Sequence, residues 1–360
     1  MEKLTIHSLV ARAVLVPLDP PLTTASGVVA AAPLVLIDLK TEEGVTGCAY
    51  VFCYSPVVMG PIAETLRNIG DLVKGAAVAP QDLDRLLRAR FRLLGVQGLV
   101  GMAMAGFDMA AWDALAKAAG LPLVSLLGGT VCAVPVYDSH SMLAADQAAA
   151  AAAESHAKGF GAIKVKIGHP GIAEDLAVIR ATRDAAGPDM AIMVDYNQSL
   201  SVPEAMARAR ILDDEGLAWI EEPTIAEDFA GHAKIADAAR TAVQLGENWW
   251  GLPDMQKAIA AGASDLAMID VMKIGGVTGW MKAAALAEGA GLPVSSHLWP
   301  EVSAHLLAVT PGAHLLEYLD LAAPVLQQPA QVQGGKVVIR DEPGSGVAWD
   351  EAAVSRYAAD

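Results

Sequence analysis

This 360-residue chain lacks most of the features that place a protein in a class at a glance. It has three cysteines, Cys48, Cys53 and Cys132. An odd, sparse set with no CxxC pair excludes a disulfide framework and a thiolate zinc site, which leaves small buried hydrophobes of a reducing compartment. Positive charge is scarce, with 25 Lys and Arg against 41 Asp and Glu and a net charge of −16. That balance excludes the basic footprint of a nucleic-acid or anionic-membrane partner. No apolar run reaches the roughly 18 residues of a membrane span without a charge or a breaker. The opening Met1-Glu2-Lys3-Leu4-Thr5 has no basic-then-apolar signal region, so a cytoplasmic location is expected. No glycine-rich dinucleotide fingerprint follows the first strand, which counts against an open doubly wound sheet. Gly275-Gly276 has no P-loop spacing around it and reads as a tight turn.

Hydrophobic residues are plentiful at 54%, with 18% charged, so an ordered chain with a sizeable core is expected. Strand signals at 4–18 and 33–40, a turn at Glu42-Glu43-Gly44 and a return strand at 45–52 open the chain. Helical periodicity follows at 60–75, 81–94 and 99–119, the last with an apolar stripe of Met102, Ala105, Met109, Trp112 and Leu115. These elements predict a separate α+β domain over 1–128. Over 129–322 strand-like runs then alternate with Ala-rich helical stretches, at 134–140, 162–168, 191–197, 218–223, 243–248, 266–272, 293–298 and 315–319. Residues 144–158 read as one helix, and Ser201-Val202-Pro203-Glu204 reads as a capping box opening another. Eight such strands fit a (β/α)8-type barrel. The tail, 323–360, returns to strand and turn signals and is expected to pack back on the first domain.

Charged residues recur at the strand ends: Lys164 and Lys166, Asp195, Glu221, Glu247, Asp270, His297 and Glu317. A barrel gathers the C-terminal ends of its strands at one mouth. Asp195, Glu221 and Glu247 there offer only oxygen, which selects Mg²⁺, Mn²⁺ or Ca²⁺ over zinc. Strand parity puts Asp195 and Asn197 on one face and points Glu221 and Glu222 apart, so one of that pair can be a ligand and spacing does not say which. Lys164 and Lys166 also share a face; two adjacent ammonium groups should pull one pKa toward neutrality, as a general base requires. Asp270 can orient the His297 imidazole. Glu317, held protonated among other carboxylates, could donate to a developing oxyanion; a plain salt bridge to Lys164 or Lys166 is the alternative. A positioned base supplies ~10²–10⁴-fold, about 3–5 kcal/mol. The rest of a typical acceleration for a carbon acid must come from charge stabilisation by a cation and such a donor.

Taken together, Lys164-Val165-Lys166, Asp195-Tyr196-Asn197, Glu221-Glu222-Pro223, Gly246-Glu247-Asn248, Asp270 with Lys273-Ile274-Gly275-Gly276-Val277-Thr278-Gly279, Ser296-His297 and Glu317 resemble the mandelate racemase subgroup of the enolase superfamily over the whole length. That superfamily's lysine or histidine base with Mg²⁺ is a known pattern. The resemblance implies an N-terminal capping domain, a (β/α)7β barrel and Mg²⁺ on Asp195, Glu221 and Glu247. It implies Lys166 as the base for one enantiomer and the Asp270–His297 dyad for the other, with Glu317 and Lys164 on the substrate carboxylate. Asn197 and Ser139 resemble polar contacts to substrate oxygens. The apolar segment 20–29, with Leu22 and Val29, resembles a cap loop covering a hydrophobic cavity completed by Phe52, Tyr54 and Leu319. Ser26, Trp299-Pro300 and the bulk of Leu22 depart from the subgroup's namesake racemase and bear on the aryl pocket rather than the mechanism. The resemblance further implies a symmetric homo-oligomer, with an octamer as one form.

The expected activity is a Mg²⁺-dependent, two-base racemisation of mandelate-like 2-hydroxy acids through an enediolate. An acid-sugar dehydratase would use the same groups, with His297 expelling a 3-hydroxyl, but should line its cap loop with polar residues. A non-catalytic binding barrel has no reason to keep acid, base and ligand types together.

Overall fold

The computed structural model describes residues 3–25 and 27–359, so Ser26 lies outside the described residues. The cap begins with β1 (Ile6–Thr24), β2 (Gly27–Thr41) and β3 (Thr46–Phe52), an antiparallel sheet in that order. Residues 20–24 and 27–29 of the segment expected as a loop instead belong to the two strands of this hairpin, with Leu22 opposite Val29 and Thr23 opposite Val28. Its β-branched residues suit a pleated ribbon. The pairing slips between Ile6 and Ser8 and again between Pro17 and Leu22, where Pro20 and Pro21 have no N–H to give. Helices α1 (Met59–Val73) and α3 (Gly98–Ala119) cover the sheet, and α2 (Pro80–Arg90) packs on α3.

Helix α3 is long and apolar enough to cross a membrane, but 72% of that stretch is buried inside the protein. It packs on β3 from one side and on the barrel from the other, which is why it is apolar nearly all round and not along one stripe. Its Asp113 is wholly buried. One carboxylate oxygen accepts from Cys48 N at 2.7 Å and from Lys117 at 2.6 Å; the other accepts from Ser345 N at 2.7 Å and its hydroxyl at 2.9 Å. Asp113→Ala breaks a buried ion pair and strands these donors. It should lower stability by ~3–5 kcal/mol, read as a fall in the urea midpoint.

After the short α4 (Leu123–Leu126), the barrel alternates β4 (Ala133–Met142), α5 (Ala145–Ala157), β5 (Ala162–Lys166), α6 (Ile172–Ala186), β6 (Ala191–Asp195), α7 (Val202–Leu212) and β7 (Trp219–Glu221). It continues with α8 (Phe229–Ala238), β8 (Val243–Leu245), α9 (Leu252–Ala261), β9 (Leu266–Asp270), α10 (Val271–Ile274), α11 (Gly276–Ala290), β10 (Val294–His297), α12 (Pro300–Leu307) and β11 (Leu316–Tyr318). Strands β4 to β10 pair in parallel in chain order and β11 pairs with β4. The ring closes between β10 and β11 through Ser296 N to Leu315 O at 3.1 Å and His314 N to Val294 O at 2.7 Å. Seven strand–helix units and a final strand make a (β/α)7β barrel, one helical connection fewer than the eight strand signals alone suggest.

Ser201 does head α7, but its side chain makes no capping bond. Glu204, the expected reciprocal partner, is taken by Arg208 one turn on at 2.7 Å. After the barrel, β12 (Val332–Gln333) and β13 (Lys336–Val338) form a hairpin on the start of β4. The chain then crosses to the cap, where Trp349 Nε1 donates to Asp38 at 2.6 Å and Leu15 N to Tyr357 O at 2.8 Å, and α13 (Glu351–Arg356) follows.

Candidate active site

The barrel interior is layered. Tyr137, Ala162, Met193, Trp219 and Met268 form a small apolar floor of their own. Two residues further along the same strands stand Ser139, Lys164, Asp195, Glu221 and Asp270. Strand side chains alternate with a period of two, so the polar layer sits directly above the floor, facing the mouth. Trp219 spans the two layers: its Nε1 donates to Glu221 Oε2 at 3.1 Å.

Asp195, Glu221 and Glu247 each offer one oxygen, all within 4.8 Å of one another, and all three residues are buried. Three carboxylates so placed approach the roughly 4.2 Å span of an octahedron with 2.1 Å bonds, and their all-oxygen donor set suits Mg²⁺. Glu221 shows the strain of such crowding. Burial, and then Asp195, Glu247 and Glu317, outweigh Lys164 and push its carboxyl up to about 8. A dication is the simplest relief for buried like charges.

The pleat does not bring every ligand-side group in, as the sequence suggests it should. Strand β6 stops at Asp195, and Asn197 folds back in the left-handed region at φ 43°. There its N–H donates to one Asp195 oxygen at 2.7 Å and its amide to the other at 2.8 Å. Glu222, at φ 39°, accepts from Asn248 at 2.9 and 2.7 Å and stays outside the three-carboxylate group. Glu247 lies past the end of β8, reached through Gly246 at φ 137°. A Cβ there would stand 2.3 Å from the Met268 carbonyl, so only glycine lets the chain turn against β9.

Lys166 Nζ lies 2.5 Å from Asp195, and Lys164 Nζ lies 2.6 Å from Glu221 and 2.8 Å from Glu317. Burial, and less strongly the neighbouring Lys164, work to lower the Lys166 pKa, but Asp195 and Glu247 together outweigh them and the net shift is upward. This corrects the expectation of a depressed lysine: each ammonium has its own carboxylate. Glu317 corrects a second one. Burial opposes its ionisation, yet Lys164 and then His297 hold its carboxyl down at about 2. It is the ionised partner of a salt bridge, and Ser139 Oγ donates to it at 2.8 Å.

His297 Nδ1 is 2.7 Å from Asp270 Oδ2, and its Nε2 stands 3.5 Å from Glu247. Asp270 is itself fixed by the Lys273 N–H on its other oxygen at 2.8 Å. Burial disfavours the imidazolium, but Glu247, Asp270 and Glu317 together raise its pKa to about 9.

Above this layer is a cavity of about 540 Å³. Lys166, Glu247, His297, Glu317 and Asn197 line its floor, and Leu22, Val29, Phe52, Tyr54 and Leu319 its walls. Lys164 and Ser139 are buried beneath it instead of lining it. Around the ring, β5 and β10 are separated by β4 and β11, so Lys166 and His297 enter from different sides. Sequence reasoning misses Trp219 and Gln244, and gives Lys273 a place in a motif but no role. Gln244 Nε2 joins Trp219 on Glu221 Oε2 at 3.3 Å. The two-residue step from Trp219 to Glu221 is a legible signal; the other two depend on three-dimensional packing.

Comparison with known proteins agrees with this geometry. Residues 6–128 match the mandelate racemase / muconate lactonizing enzyme N-terminal domain, and 147–353 the enolase C-terminal domain-like family. A solved enolase from Bradyrhizobium, complexed with magnesium and mandelic acid, is 47% identical over all of both chains, with a TM-score of 0.96. The 3,6-anhydro-alpha-L-galactonate cycloisomerase of Streptomyces coelicolor is 32% identical over 95% of this chain and 96% of its own. The L-talarate/galactarate dehydratase of Salmonella typhimurium is 30% identical over 89% of this chain and 81% of its own. The chain belongs to the enolase superfamily, in its mandelate racemase subgroup, and is a magnesium-dependent enzyme of that superfamily.

Proposed function

We propose that this enzyme racemises mandelate-like 2-hydroxy acids by removing the proton alpha to the carboxylate on one face and returning one on the other. The observation that carries this reading is that Lys166 and His297 both enter one apolar-walled cavity, from different sides of the barrel. Lys166 serves one enantiomer. His297 Nε2 serves the other, because Asp270 holds the opposite ring nitrogen and so fixes the tautomer. Asp195, Glu221 and Glu247 would hold Mg²⁺, which would supply electrostatic stabilisation as charge develops on the substrate carboxylate. Asp195 and Glu247, once engaged as ligands, would hold Lys166 and His297 less firmly in their protonated forms. Glu317 faces the carboxylate end from the cavity floor, and Lys164, buried beneath it, acts there through its ion pair with Glu317. The arriving anion opposes the pull of Lys164 and His297 that keeps Glu317 ionised in the free enzyme, so that Glu317 takes a proton from solvent and donates it in a hydrogen bond to the anion. Leu22, Val29, Phe52, Tyr54 and Leu319 enclose an aryl or other apolar group. Apart from the Tyr54 hydroxyl these five offer nothing to the row of hydroxyls on a sugar acid, although Thr24, Gln198, Asn248 and Lys273 also line the cavity.

The dehydratase reading is favoured by the relationship to L-talarate/galactarate dehydratase and opposed by those walls. (R)- and (S)-mandelate with Mg²⁺, followed by polarimetry beside a panel of aldonates and aldarates, separates the two. Loss of optical rotation from either enantiomer is expected. Rapid 2-keto-3-deoxy acid formation with inert mandelate would replace racemase by dehydratase.

A further inference from the structure

Lys273 takes no part in the proton transfers above, yet its contacts lead into the site. It is 8% exposed and makes no direct ion pair among the described residues. Its ammonium lies over the ring of Tyr54, 4.5 Å from the centroid, and 5.8 Å from that of Trp250. Aromatic faces of this kind stabilise a buried cation that lacks a carboxylate of its own. The ammonium donates to Asn248 Oδ1. From its other side, Asn248 Nδ2 donates to both Glu222 oxygens and, at 3.3 Å, to Glu247 Oε1.

A primary amide can present either its oxygen or its NH2 group. Here an ammonium on one side and two carboxylates on the other leave a single satisfactory orientation. Turned round, the amide would set its oxygen against Glu222 and Glu247 and its NH2 against a cation. Asn248 also stands between two like charges. The orientation of Glu247 thus depends on an amide whose own orientation depends on Lys273.

We infer that Lys273 is a positioning residue for the metal site: through the Asn248 amide it holds Glu247 in the orientation that joins Asp195 and Glu221. The inference rests on the magnesium-site reading of those three carboxylates. Groups that orient a metal ligand from behind cost about 10–100-fold in metal affinity when removed. The test is calorimetric titration of Mg²⁺ into stripped wild type, Lys273→Met, Lys273→Arg, Asn248→Ala and the Lys273→Met/Asn248→Ala double variant. Lys273→Met should bind about 10–100-fold more weakly. Arginine still donates to the same amide oxygen and should recover most of the loss. Asn248→Ala should match Lys273→Met, with the double variant no weaker than either, because all three break one chain of contacts. Asn248→Ala leaves the lysine over its aromatic rings and gives the same readout if Lys273→Met does not fold. Wild-type affinity in Lys273→Met or Asn248→Ala, or additive losses in the double variant, would overturn the inference. Wild type that takes up no Mg²⁺ would instead overturn the metal reading beneath it.

Discussion

Lys166→Ala should lose exchange of the α-proton with deuterated water for one enantiomer of mandelate and keep it for the other, and His297→Asn should give the complementary result. Each substitution removes the proton-transfer group proposed for its side of the cavity, while Asp195, Glu221 and Glu247 remain to hold the metal. Overall racemisation needs both groups and should fall by at least the ~10²–10⁴-fold that one positioned base contributes. Half-reactions tell the roles apart where turnover alone does not. Proton NMR of each enantiomer in D2O, with Mg²⁺, follows them separately. If either variant still exchanged both enantiomers at the wild-type rate, a single group would be serving both faces and the two-base scheme would be wrong.

The layered barrel explains why so much of this site is legible in sequence. Ser139, Lys164, Asp195, Glu221 and Asp270 each follow an apolar floor residue by two positions, as Lys164 follows Ala162 and Asp195 follows Met193. The change from apolar to charged at the strand's end therefore marks both the element and the mouth. What is not legible has a common physical origin: the chain leaves the strand. Asn197, Glu222 and Glu247 depend on positive φ at or beside them, and a pleat rule gives no direction for a residue that has turned. Electrostatic roles are hidden for a different reason. Two neighbouring lysines read as mutual repulsion along the strand, but each meets a carboxylate from a following strand, Lys166 that of Asp195 on β6 and Lys164 that of Glu221 on β7. The cap hairpin is obscured because its far end carries Asp19-Pro20-Pro21, a loop signal in most contexts; pairing resumes beyond it at Leu22 and Val29.

Stripped of metal, the protein should bind Mg²⁺ far more tightly at about pH 8 than at about pH 6. The ligand form of Glu221 is the carboxylate, yet burial and its acidic neighbours raise the group from an ordinary 4.5 to about 8. Below that value each cation bound must displace a proton, so apparent affinity should climb by up to about tenfold per pH unit, or ~100-fold across the interval. Stability should move the opposite way. Between 4.5 and about 8 the folded chain keeps a proton on Glu221 that the unfolded chain has released, so stability declines as pH rises through that window. His297 acts in the same direction between 6.5 and about 9. Glu317, depressed to about 2, contributes stability that is lost only in stronger acid and does not compensate there. Thermal melts of the stripped enzyme should therefore fall from mildly acidic to mildly alkaline buffer, and added Mg²⁺ should restore more at the alkaline end. Calorimetry in buffers of different ionisation enthalpy counts the protons released. Equal affinity at both pH values with no proton release would mean that Glu221 is already ionised throughout, and that crowding of carboxylates is not what the cation relieves.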